Sequence, residues 1–62
     1  MSVKLIGHDS MGFRVWQDEG TGGVVGAVPD KEAAEEAFAR MEGARPFSLD
    51  EYQKEFGAVK PL

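Results

Sequence analysis

His8, Asp9 and Ser10 lie side by side: a base, an acid and a hydroxyl of the kinds that nucleophilic catalysis uses. His8 is the only histidine, hence the only ordinary general base near neutrality. A working Ser–His pair also needs an orienting acid and oxyanion donors that converge on one point. Consecutive residues at a strand end point apart, and Asp and Ser in a turn bond their own backbone. Asp9 and Ser10 therefore read as the start of a turn after a strand ending at His8, and the chain as a non-enzyme. Gly20-Thr21-Gly22-Gly23 shares only its glycines with phosphate loops, because the lysine and hydroxyl are missing and a strand follows where a helix should. It reads as a mobile hairpin turn. Glu32, Glu35, Glu36 and Glu42 could attract a divalent cation, but no calcium-loop pattern accompanies them, so a solvated helix face is expected. With no cysteine and a single histidine, neither a metal site nor a disulfide is expected, and no motif asks for a cofactor.

Binding chemistry is better represented. Arg14 and Trp16 are two apart on a predicted strand and so share a face. An aromatic ring beside a guanidinium can stack bases or anchor a protein partner. The plainer alternative is a minor cluster of Trp16 on Ile6, or cover from the C-terminal tail.

Three β segments must position these residues. Val3 to His8 alternates, with Val3 and Leu5 opposite Lys4, Ile6 and His8. Asp9-Ser10-Met11-Gly12 is a turn. Phe13 to Asp18 places Phe13 and Val15 opposite Arg14 and Trp16. After Glu19 to Gly23, Val24 to Val28 forms a third strand bounded by Pro29. Asp30 then caps a helix over Lys31–Glu42, with Ala34, Ala37, Phe38 and Met41 on one face and Gly43 as its stop. After the Arg45-Pro46 linker, Ser48 and Glu51 spell a capping box. Phe47 and Tyr52 can staple that entry, Leu49, Tyr52 and Phe56 form an apolar stripe, and Gly57 closes the helix. Residues 58–62 read as a loose tail.

The expected fold is α+β: a three-stranded antiparallel meander followed by two helices, β-β-β-α-α, packed on one sheet face. Val3, Leu5, Phe13 and Val15 would meet Phe38, Met41, Tyr52 and Phe56 in the core. The other face, with Lys4, Ile6, His8, Arg14 and Trp16, would face solvent.

At 62 residues the chain makes one domain, near the lower size limit for folding alone. Its 42% apolar content is that of a globular domain. The net charge of −4 gathers on the helical half, with four basic and eight acidic side chains over residues 30–57. That field disfavours nonspecific attraction to nucleic acid or anionic membrane and suits a basic partner, although surface charge also serves solubility. No long apolar segment suggests export or a membrane span, so the cytoplasm is the expected compartment.

The run Phe13-Arg14-Val15-Trp16-Gln17-Asp18-Glu19, the glycine turn, the third strand and Lys31-Glu32-Ala33-Ala34-Glu35 cover about half the chain. This succession resembles the arm-binding domains of tyrosine recombinases, which implies a sheet placed against DNA. Lys4 and Arg14, the only lysine and arginine on these strands, are few cations for gripping phosphates. Val28-Pro29-Asp30 is similar to the step out of a strand in bacterial HicB-type antitoxins, although their Gly/Cys-containing segment before the helix is missing. Phe47-Ser48-Leu49-Asp50-Glu51-Tyr52 resembles the toxin-neutralising helices of small bacterial antitoxins, which implies docking in an apolar groove. Closing its own core is the plainer role for this helix. No family is assigned.

The favoured expectation is a small acidic protein-binding module, in concrete form a stoichiometric inhibitor of phage or bacterial type, antitoxin-like or anti-defence. Lys4, Ile6, His8, Arg14, Trp16, Glu32, Glu35 and Glu36 are its candidate contact residues. The alternatives are a nucleic-acid accessory module using Arg14 and Trp16, and a homodimer that buries Trp16 between copies.

Overall fold

The computed structural model describes residues 2–41 and 46–62. The expected stop at Gly43, and Glu42 and Arg45 beside it, lie outside the described residues. Strands β1 (Val3–His8), β2 (Arg14–Asp18) and β3 (Val24–Gly26) precede helices α1 (Lys31–Arg40) and α2 (Leu49–Phe56). A short strand β4 (Lys60–Pro61) follows them. The four strands form one antiparallel sheet in the order β3-β2-β1-β4. The meander is as expected. The segment read as a loose tail instead supplies an edge strand.

Both turns are organised by an aspartate. Asp9 Oδ1 accepts the backbone N–H groups of Met11 at 2.8 Å and Phe13 at 2.9 Å, while Gly12 takes a φ of 89°. In the second turn the Asp18 carboxylate accepts the Gly20 N–H at 3.3 Å and the Thr21 hydroxyl at 2.9 Å. The loop read as mobile thus carries its own bonding network, which satisfies the buried Asp18. Strand β3 ends sooner than expected, at Gly26, because Ala27 turns the chain with a φ of 59°.

The two helices lie on opposite faces of the sheet, which corrects the one-face expectation. Val15 and Trp16 are neighbours on β2 and so point to opposite sides. Trp16 packs with Val3, Ala34 and Phe38, whereas Val15 packs with Val24 and Tyr52. Helix α1 therefore covers the Trp16 face and α2 the Val15 face. A bulge on β1 adjusts the register, since Leu5 pairs with Trp16 and Gly7 with Val15, leaving Ile6 as the extra residue. Beyond it, His8 joins the face of Leu5 and Trp16, while Ile6 packs in the Tyr52 cluster.

Three further expectations change. Trp16 is 9% exposed, not open to solvent, and its Nε1–H donates to Val28 O at 2.8 Å. Phe13 and Phe56, assigned to the core, are 51% and 57% exposed. Both sit at element ends, where no layer closes over them. Val3 and Val15 are both buried, but in different clusters.

The helix ends follow local chemistry. Asp30 Oδ1 accepts the Ala33 N–H at 2.8 Å and caps α1, which buries Ala34 and Phe38 one turn apart. Ser48 and Glu51 form the expected reciprocal box, both bonds at 3.3 Å. Gly57 ends α2 with a φ of 98° and donates to Gln53 O at 2.9 Å. Phe47 meets the ring of Phe56 edge-on at 5.7 Å, and Phe56 contacts Tyr52 at 4.8 Å. The chain then returns to β1, with the Val59 N–H bonded to Gln53 Oε1 at 3.1 Å.

Candidate functional site

The eight expected contact residues do not converge. His8, Arg14 and Trp16 lie on the α1 face, whereas Lys4 and Ile6 lie on the α2 face, because Lys4 pairs with Gln17 and Ile6 packs near Tyr52. Trp16 is unavailable to a partner in the folded chain. Glu32 and Glu36 are exposed one turn apart on α1, and Glu35 is half-buried. The sheet is not an open platform of the kind that the recombinase resemblance implies, since each face carries a helix. The Asp9 carboxylate is engaged in its turn. Among the described residues no group of three or more His, Asp or Glu side chains gathers as a metal site would require. No helix among them is long and apolar enough to cross a membrane.

Two adjoining surfaces do gather residues. The first is an apolar groove of about 500 Å³ along β3, lined by Met11, Phe13, Val25, Met41, Tyr52 and Phe56 among others. Met11 is 79% exposed, so three large apolar side chains stand open beside one strand. That strand is an edge strand. Gly23 O accepts the Asp18 N–H, so by alternation Val24 and Gly26 turn their backbone groups away from β2. Val24 N–H finds Phe47 O at 2.7 Å. Among the described residues no strand pairs with Gly26 on that outer side.

Tyr52 forms the inner wall of this groove. Its hydroxyl lies so close to Gly26 that a Cβ there would overlap it. Burial raises the phenol's pKa above its ordinary value, and the negative charge of Asp9 raises it further.

The second surface adjoins the first at Phe13 and Ala27, which line both. It is a groove of about 410 Å³ between His8, Arg14, Val28 and Pro29. Arg14 Nη1 donates to Pro29 O, which steadies the guanidinium. The register extends this basic edge, since His8 pairs with Arg14 on one side and with Lys60 on the other. Directly paired residues share a face, so Lys60, His8 and Arg14 form one row across three strands.

Sequence reasoning missed Met11, Phe13, Phe56 and Lys60 as surface-site residues. An exposed apolar residue was legible in Met11, placed within a turn. Lys60 gave no signal of its own, because its position depends on pairing with β1. No protein-family model, curated protein or solved structure matches this chain.

Proposed function

We propose that this chain is a non-catalytic protein-binding module that receives an extended apolar segment of another protein along the outer edge of β3. The observation that carries the reading is the contrast between the two edges of the sheet. Exposed edges are normally blunted with charge or proline to prevent pairing with other chains. Edge β4, Lys60–Pro61, has both devices. Edge β3, Val24–Gly26, has neither, and Met11, Phe13 and Phe56 stand exposed beside it. An added strand would bond to the outward groups of Gly26, and its alternate side chains would enter the aromatic groove. A basic partner surface could then approach Glu32 and Glu36, consistent with the net charge of −4. A small acidic binder of this kind suits a stoichiometric inhibitor, which occupies its target without turnover.

Selection of displayed random peptides on the wild-type chain, with counter-selection on the Phe13→Ser/Phe56→Ser double variant, tests the reading. Enrichment of β-branched, apolar peptides is expected, with amide shift changes centred on residues 24–27. Both changed residues are exposed, so the variant should keep the wild-type circular dichroism spectrum. Peptides held equally by the variant would overturn the reading. So would a dimer of twice 6.7 kDa in light scattering that the double variant dissolves, since a second copy would then occupy the edge.

A further inference from the structure

We infer that Lys60, His8 and Arg14 seat a phosphate group, and that the ligand is a small phosphate monoester bearing an aromatic ring, of the nucleotide class. This goes beyond the strand-edge reading and does not depend on it.

The first ground is electrostatic. The chain has 11 acidic and 7 basic side chains other than histidine, so acids are the commoner neighbours available. Yet three strands contribute two cations and an imidazole to one row, with no carboxylate between them. Among the described residues none of the three forms an ion pair, and the recorded bond of Arg14 goes to a backbone carbonyl.

The second ground is shape. Neighbouring strands stand about 4.8 Å apart, so Lys60 and Arg14 flank His8 at about that spacing on either side. The central side chain is short and half-buried, while the outer two are long and exposed. His8 and Arg14 line the adjoining groove, and Lys60 stands beside His8 at its margin by strand pairing. A phosphate monoester carries a charge of about −1.5 to −2 on three acceptor oxygens, which matches two cations and an imidazole better than the single charge of a carboxylate. The guanidinium fork suits phosphate oxygens, and the Pro29 carbonyl holds one of its nitrogens in place.

The third ground is the adjoining groove. Its volume of about 410 Å³ falls in the range of small-ligand sites, about 300–1,000 Å³. Phe13 lines it beside Arg14 and offers an exposed ring on which a base can stack. A longer nucleic acid would present the same groups, but its repeated charge would meet the chain's net −4. A mononucleotide meets mainly the local row, because charges beyond about 8 Å are screened at physiological salt.

Titration of the ¹⁵N-labelled chain with adenosine monophosphate, adenosine, inorganic phosphate and a short oligothymidylate tests this, with sodium chloride matched for ionic strength. Saturable shifts at His8, Arg14 and Lys60 are expected with the monophosphate, which should bind about tenfold tighter than phosphate alone. Arg14→Gln and Lys60→Gln should each weaken it about tenfold, equivalent to about 1.4 kcal/mol. Phe13→Leu should remove only the advantage over inorganic phosphate. Both cations are exposed, and unchanged spectral dispersion would verify that the variants fold. Shifts no larger than those from chloride, binding of adenosine as tight as that of the monophosphate, or binding intact in the Arg14→Gln/Lys60→Gln variant would each overturn the assignment. Tighter binding of the oligothymidylate would replace it with a nucleic-acid site. Peptide capture at β3 is a separate readout, so failure here leaves that reading standing.

Discussion

Tyr52 is the single tyrosine, and it is buried between α2 and the sheet, with its hydroxyl against Gly26. Burial first, and Asp9 second, raise its pKa. The folded chain therefore holds the phenol proton more tightly than the unfolded chain, whose value is about 10. The associated stability is full below that pH and is lost as pH rises through the higher folded value. Ultraviolet titration of the phenolate should give a midpoint above about 10 in the native protein that falls towards 10 in urea. Asp9→Asn should lower the native midpoint only part of the way, since burial is the larger cause and asparagine can still support the turn. A native midpoint equal to that in urea would show that the phenol is solvated. Tyr52→Phe should flatten the loss of stability in this window.

Strand β4 is two residues long, too short to form without a neighbour. Its seat depends on a close approach. Gly7 pairs with Pro61, and a Cβ on Gly7 would overlap the Lys60 carbonyl. Gly7→Ala should therefore detach β4 at a cost on the order of 1–3 kcal/mol, the usual range for overpacking. Hydrogen exchange should quicken at Val59 and Lys60, while the β2–β3 ladder keeps its protection. Unchanged exchange at those two residues would show that the sheet absorbs the methyl by shifting. Because β4 brings Lys60 to His8, the same variant should also weaken binding of adenosine monophosphate.

As a whole the molecule is a thin sheet with one small cluster on each side. Trp16 and Phe38 anchor one, Val15 and Tyr52 the other. A domain of this length has about 3–9 kcal/mol of stability at 0.05–0.15 kcal/mol per residue. Replacing a buried tryptophan by alanine costs about 3–5 kcal/mol. Trp16→Ala should thus remove a third or more of the stability at 25 °C, read by circular dichroism and urea melts. A cooperative melt within about 1 kcal/mol of wild type would contradict the buried position of Trp16. This variant would therefore probe folding, not partner contact.

How much of this was legible follows from the range of each signal. Asp30, Ser48, Glu51 and Gly57 announced the helix ends, because a cap satisfies groups within one turn of itself. Asp9 and Gly12 announced the first turn for the same reason. Alternation correctly put Arg14 and Trp16 on one face, yet it could not say whether that face was covered. A period of two sorts side chains into two sets and leaves the location of the helices open. His8 shares the face of Arg14 and Trp16 as expected, but the bulge at Ile6 lets Val3 and Leu5 share it too and leaves Lys4 and Ile6 on the other, which only the pairing with β2 reveals. Both candidate surfaces stayed hidden because each joins segments distant along the chain. Met11, Phe13 and Phe56 come together only because α2 packs on the Val15 face, and Lys60 reaches His8 only through β4. The sequence by itself determined the order of the first three strands and two helices, their turns and their caps, all set by groups a few residues apart. Tertiary structure alone decided the second covered face, the fourth strand and the open edge, because these depend on contacts between segments distant along the chain.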